Sequence, residues 1–303
     1  MADIQPEEVL IMTPNVAVGL DGTPESLAAA EWAAREALLR RVPLHLVHVE
    51  EGPSALTRPA ITPEMRRTWA EEMLEKAAAD VRQRHPQLEV TTRHFAGQQP
   101  PAGLATAVGE ADLLVLGSRG LGSVVGFLLG SVGLATVSAT EQPVVLIRAA
   151  KGRAGAPSVS AQAEASGEYR DVVLGVGIRQ DCDAVIAFAF DAAARRTANL
   201  RVVHGWTMPP VCTHYAAVDA GEEIAQALSD MLMPWRQKFP SVNVVEQALF
   251  GGASRQLVYE SADAELVVIG RHIQDAPFAA HIGPVTHAVL HHSAAPVAVI
   301  AHR

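Results

Sequence analysis

The chain alternates short apolar runs with longer segments of helical period. In its first half the apolar runs are Asn15–Leu20, Leu44–Val49, Leu88–His94, Leu113–Gly117 and Val144–Ile147, each of strand length. Pro24–Arg41 and Pro63–Arg84 are the clearest helical segments. The first has Asp21 or Thr23 ahead of it as a cap and proline in its first turn. Strands separated by helices read as crossover units, so the pattern predicts a parallel sheet covered on both faces. Gly52–Thr62 and Trp206–Ala220 contain proline and aromatics, and both follow a second strand. They are expected to form longer surface loops near a site.

The pattern occurs twice. VAVGLDG (Val16–Gly22) reappears as VLGVGIR (Val173–Arg179), with Gly19 matching Gly175 at an offset of 156, and LVHV (Leu46–Val49) falls on VVHG (Val202–Gly205). An offset of 153 carries ADLLVLG (Ala111–Gly117) onto AELVVIG (Ala264–Gly270) and QPVVLI (Gln142–Ile147) onto APVAVI (Ala295–Ile300). Between the copies, Arg148–Arg170 is rich in Ala, Ser and Gly and lacks sustained apolar periodicity, which marks a linker. The expected organisation is therefore α/β, with two tandem, doubly wound, five-stranded domains at 1–148 and 170–303 joined by a linker at 149–169. Each half ends in an apolar fifth strand. Unpaired edges of that kind invite association, so these strands are expected to pair within the chain or in a homodimer.

Composition narrows the function classes. The 303 residues are ample for two cores, and no segment approaches the roughly 18 unbroken apolar residues of a membrane span. The first residues, MADIQPEEVL, lack the order of a secretory signal, so the expected location is the cytoplasm. A net charge of -9 argues against nucleic acid as a partner. Cys182 and Cys212 form neither a disulfide framework nor a metal motif.

Candidate chemistry concentrates after the fourth strand of the first half. GSRGLGSVVGFLLGSVG (Gly117–Gly133) has the spacing Gly117-x2-Gly120-x9-Gly130-Ser131 and leads into a helical segment. Bare backbone there brings N–H groups to anionic oxygens, and a helix starting near Ser131 turns its positive end toward them. Such a loop is a phosphate cradle. It lacks the GxxxxGK[ST] spacing of a P-loop. Asp21, at the end of the first strand, reads either as a helix cap or as an acid that receives hydrogen bonds from a ribose or a base.

These residues together resemble the universal stress protein family, nucleotide-binding type: VAVGLDG, LHLVHV, then G-x2-G-x9-G-S followed by a helix and PVVLI. The resemblance covers both halves, as in the tandem proteins common in actinobacteria. It implies strand order 3-2-1-4-5 in each half and an ATP site in the first. Within that site the resemblance places Gly19 and Asp21 at the first strand end and Val49 at the adenine edge. Gly117, Gly120, Gly130, Ser131 and Val132 lie around the phosphates, with Arg119, Gly122 and Ser123 in the same loop. Mg²⁺ is expected with the triphosphate, although no dedicated carboxylate pair is present.

Other readings are weaker. Gly120-x-Gly122-x3-Gly126 mimics a dinucleotide fingerprint but follows the wrong strand, and a GxSxG elbow is absent. His287 and His291 share a helix face without further convergent ligands. His48 and His204 fit strand-end hydrogen bonding. Trp69 and Met73 are expected on the buried side of the second helix, with Glu71 and Glu72 solvated. No catalytic residues and no protein metal ligands are assigned. The expected function is an ATP-binding stress sensor or regulator with an unidentified protein partner and at most weak ATP hydrolysis. The alternatives are a slow ATPase or phosphoryl-transfer enzyme, or a nucleotide-independent interaction module. In the second half Gly177 replaces Asp21, Ile273 replaces Gly120 and Pro284 replaces Ser131, so one ATP per chain is expected.

Overall fold

The computed structural model describes residues 14–50, 62–109, 111–118, 130–148, 169–208, 214–273 and 282–303. The first half runs β1 (Val16–Gly19), α1 (Pro24–Arg40), β2 (Leu44–Glu50), α2 (Pro63–Arg84), β3 (Val90–Ala96), α3 (Pro100–Val108), β4 (Leu113–Ser118), α4 (Ser131–Ala139) and β5 (Val144–Arg148). The second half repeats this order. It runs β6 (Val172–Gly175), α5 (Asp183–Arg196), β7 (Leu200–Trp206), α6 (His214–Lys238), β8 (Val244–Phe250), α7 (Ala253–Glu260), β9 (Leu266–His272), α8 (Pro284–His292) and β10 (Val297–His302). The expected linker lies outside the described residues except for Tyr169 and part of its flanks.

The strands form one ten-stranded sheet in the order β3-β2-β1-β4-β5-β10-β9-β6-β7-β8. Each half is thus a 3-2-1-4-5 array. Every pairing within a half is parallel, and β5 meets β10 antiparallel. In that central pair Val145 stands opposite Ala298, while Leu146 faces Val297 and Val144 faces Val299. The offset of 153 carries Val145 onto Ala298, so the two halves are related by a pseudo-twofold through this pair. The edge left by the apolar fifth strands is thereby closed within one chain.

Register confirms the repeat residue by residue. Val16 pairs with Leu44 and Leu113, and its counterpart Val172 pairs with Leu200 and Leu266. Side chains alternate across the sheet, so each face carries its own core. Val16, Val18, Leu44, Leu46 and Leu113 pack under α1 and α2, and Ala17, Val47, Leu114 and Leu116 pack against α3 and α4. Both cores continue into the second half.

Local chemistry sets the helix starts as the sequence predicts. Thr23 caps α1, accepting from the Ser26 N–H at 3.3 Å, with Pro24 next, and Thr62 with Pro63 does the same for α2. Two readings need correction. Trp206–Ala220 is not wholly a loop, because Trp206 ends β7 and α6 begins at His214. Trp69 is not buried with Met73. It is 50% exposed, lying edge-on to the His48 ring and over Gly22, because its face of α2 overhangs the end of the sheet. Glu71 and Glu72 are exposed, as expected. Gly52–Thr62 falls outside the described residues up to Thr62.

Candidate functional site

Strand order reverses between β1 and β4. From β1 the chain crosses to α1 on one face, and from β4 it continues toward α4 on the other, which opens a crevice at the carboxyl ends of the strands. A cleft of about 300 Å³ occupies this position. Of the residues singled out from the sequence, it gathers Gly19, Asp21, Val49, Gly117, Gly130, Ser131 and Val132. Arg119, Gly120, Gly122 and Ser123 lie outside the described residues.

The end of β1 is built by hydrogen bonds that recur in both halves. His48 Nδ1 lies 2.7 Å from the Leu20 carbonyl oxygen, and His204 Nδ1 lies 2.9 Å from that of Val176, its counterpart. The two histidines therefore fasten the strand end beside the crevice. Asp21 follows directly. Its Oδ1 accepts from the Thr23 N–H at 3.1 Å and from the Thr23 hydroxyl at 2.6 Å, while the carboxylate also borders the cleft. The cap is therefore Thr23 and not Asp21, whose carboxylate holds Thr23 in place while the residue borders the crevice.

The glycines divide into two kinds. A Cβ on Gly117 would lie 2.6 Å from the backbone of Glu25, so close packing excludes a side chain there, and one on Gly19 would lie 2.7 Å from the tip of the Leu116 side chain, which would have to shift. Gly130 is different. Among the described residues no atom lies within 4 Å of a Cβ built on it, and its φ of -58° suits any residue. Packing among the described residues gives no reason for a bare backbone at Gly130. It precedes α4, whose first N–H groups, on Ser131, Val132 and Gly133, border the cleft and have no carbonyl of their own helix to bond. No side chain caps this end. The arrangement presents bare N–H groups and the positive end of a helix dipole to whatever enters.

The opposite wall is apolar. Val47, Val49, Leu104 and Leu116 line it with Pro100. Val49 sits against Gly103, where a Cβ would come within 2.5 Å of its methyl. Sequence reading missed Ser26, Pro100 and Leu104. Ser26 carried a signal in its place in the first turn of α1, whereas α3 reaches the cleft through a tertiary contact. His287 and His291 do share a face, with ring centroids 4.2 Å apart, but no group of three metal-ligating side chains occurs among the described residues. No helix among them is long and apolar enough to cross a membrane.

Comparison with known proteins agrees with this architecture. The sequence model of the universal stress protein family matches residues 12–148 and 168–301. Universal stress protein Rv2005c of Mycobacterium tuberculosis is 30% identical over 295 residues, covering 94% of this chain and 96% of its own length. Universal stress protein Rv2623 of the same organism is 29% identical over 306 residues, covering 94% and 95%. Among solved structures, a universal stress protein from Archaeoglobus fulgidus superposes with a TM-score of 0.65 at 16% identity, covering 95% of this chain and 98% of its own, a likeness of fold. With the family sequence matched in both halves, the chain belongs to the universal stress protein family.

Proposed function

We propose that the first-half cleft binds ATP with Mg²⁺ and that the protein acts in the cytoplasm as a nucleotide-dependent stress sensor or regulator. The observation that carries this reading is the pairing of two unlike ends in one crevice. The unpacked Gly130 and the uncapped start of α4 form an anion-binding end, and Val47, Val49 and Leu104 form an apolar slot. A base fits the slot while phosphates meet the helix. Asp21 stands between them, where a ribose hydroxyl would reach it. Mg²⁺ would be held by phosphate oxygens and water, since Asp21 is the sole carboxylate of the cleft among the described residues. Among the described residues no paired base and nucleophile borders the cradle, so we read it as a binding site with at most weak ATP hydrolysis.

The second half supports one ATP per chain. At the matching positions Gly177 supplies no carboxylate and Pro284 supplies no N–H. Losing two charge-assisted hydrogen bonds, each worth roughly 1.5–3 kcal/mol, weakens binding by about a hundredfold or more.

Calorimetry of the full chain with MgATP tests this reading. One site is expected in the wild type and none in Gly130→Glu, which puts a carboxylate at the phosphate end without a clash. Wild-type affinity in a folded Gly130→Glu protein would overturn it.

A further inference from the structure

The second half keeps a crevice at the place equivalent to the first, and it is larger, about 530 Å³. Its chemistry is inverted. The register places Gly177 at the position of Asp21, Arg271 at that of Ser118, His272 at that of Arg119 and His302 at that of Ala149. No carboxylate borders the crevice among the described residues, while Arg271, His204, His272 and His302 all do.

His302 is the informative residue. It is 8% exposed, it borders the crevice, and its Nδ1 has no hydrogen-bond partner among the described residues. Room for its ring comes from Gly270, where a Cβ would fall 2.6 Å from His302 Nε2. The His272 ring packs edge-on at 5.6 Å. Arg271 is held in place by donating to the Thr140 carbonyl at 2.7 Å, which anchors a buried guanidinium beside the crevice. Nδ1 is enclosed by protein, so Nε2, which lies over Gly270 at the crevice, is the nitrogen positioned to meet a ligand.

Val176, Val203, Leu257, Ile269 and Val285 form an apolar wall, and Gln180, Cys182 and Thr286 also border the crevice. Gly205 stands where the first half has Val49, and Ala253, approaching to within 2.5 Å of the Cβ position, takes up that space. At the anionic end, Gly283 is as open as Gly130, with no atom of the described residues within 4 Å of a Cβ. Pro284 removes one N–H from the start of α8, so recognition of the anion falls to side chains instead of backbone.

We propose that this crevice is a second binding site, for a small organic anion with a single oxyanion head and an apolar body. The head meets His302 and Arg271 on the β10–β9 side, and the body enters the apolar slot toward His204. The site is independent of ATP binding in the first half.

Full-length protein with histidine-selective isotope labelling tests the proposal by imidazole NMR, using phenyl phosphate, benzoate and benzyl alcohol as probes. Phenyl phosphate or benzoate is expected to shift the His302 and His204 signals and leave His48, the first-half counterpart of His204, unmoved. A preference between these two probes identifies the head as phosphate or carboxylate. Gly283→Glu, which is sterically open and negatively charged, should abolish the shifts, and His302→Ala should raise the Kd at least tenfold. Gly130→Glu should leave them unchanged, which separates this site from the ATP reading. Absence of shifts at millimolar probe, equal binding of benzyl alcohol, or persistence of the shifts in folded Gly283→Glu would overturn the proposal. So would a fall from two bound ATP to one in Gly283→Glu, because it would make the crevice a nucleotide site.

Discussion

Arg196 on α5 donates to the carboxylate of Glu36 on α1, joining the two halves where both side chains are almost wholly buried. Arg40 takes the other oxygen at 2.6 Å. Arg40 and Arg196 are counterparts at the offset of 156, and so are Trp32 and Phe188. Each arginine lies over the ring from the opposite half, Arg40 at 5.2 Å from the Phe188 centroid and Arg196 at 5.9 Å from that of Trp32. Glu36 breaks the symmetry, because its counterpart is Ala192. One carboxylate therefore serves two arginines.

Removing that carboxylate leaves two guanidinium groups facing each other in a dry interface. Glu36→Ala is expected to destabilise the chain by about 3–5 kcal/mol, the usual cost of an uncompensated buried charge. Urea unfolding of the full chain measures it. A loss below about 1 kcal/mol would show that the interface opens to water instead.

The same group gives a pH dependence. Burial by itself would raise the Glu36 carboxyl, but the charges of Arg196 and Arg40, with hydrogen bonds from both, outweigh burial and hold it below its ordinary value of 4.5. A carboxyl depressed by folding contributes stability that is fully present above its unfolded value and is lost as pH falls through its folded value. The stability difference between wild type and Glu36→Gln should therefore be constant from pH 7 to pH 5.5 and shrink below about 4.5. Denaturation midpoints collected across that range decide the matter, and a difference that widens in acid would contradict it.

Gly117 and Gly130 should respond oppositely to alanine. At Gly117 the new methyl meets the Glu25 backbone at 2.6 Å, which can yield only by moving α1 off the sheet. A loss of about 1–3 kcal/mol is expected there, and less than about 0.5 kcal/mol at Gly130. Thermal melts of the two variants test the contrast. Similar losses at both positions would remove the distinction on which the cradle assignment rests.

Asp21→Ala should have two separable effects. Loss of the Thr23 anchor at the start of α1 costs about 0.5–2 kcal/mol, as for a helix cap. Loss of the acid in the cleft weakens ATP. Thr23→Val removes the hydroxyl partner without touching the acid, so calorimetry should find ATP binding retained in that variant and weakened at least tenfold in Asp21→Ala.

Val49 and Gly103 form a size pair that the second half does not repeat, since the counterparts are Gly205, at an offset of 156, and Gln256, at an offset of 153. Gly103→Ala alone is expected to cost about 1–3 kcal/mol by overpacking against the stiff Val49 side chain. Adding Val49→Gly should recover part of that loss while abolishing the apolar slot for a base. A double-mutant cycle showing simple additivity would mean the two residues do not share the space.

Much of this molecule was written locally. The apolar runs fell within a residue or two of the strands, since a strand buried on both faces must be apolar throughout. Thr23-Pro24 and Thr62-Pro63 marked helix starts through groups that act within one turn. The repeat offsets were visible because counterpart strands hold equivalent register, and two apolar edges called for pairing within the chain or between chains, whereas its antiparallel direction and the facing of Val145 with Ala298 came from the structure. The cleft residues Asp21, Gly117 and Gly130 were legible in the motif.

Tertiary structure alone decided the rest. Trp69 read as core by helical period, yet its exposure depends on how far α2 overhangs the sheet. Leu104 and Pro100 reach the cleft only because α3 packs beside β2, a contact between segments separated by about fifty residues. No spacing rule distinguishes Gly117, which is barred from carrying a side chain, from Gly130, which is free to do so, because the atoms that make the difference come from α1. For the same reason Glu36 reads as one more surface glutamate until α5 is laid across α1. Sequence fixes what each segment can form by itself, and the partner a side chain meets depends on where the other segments come to rest.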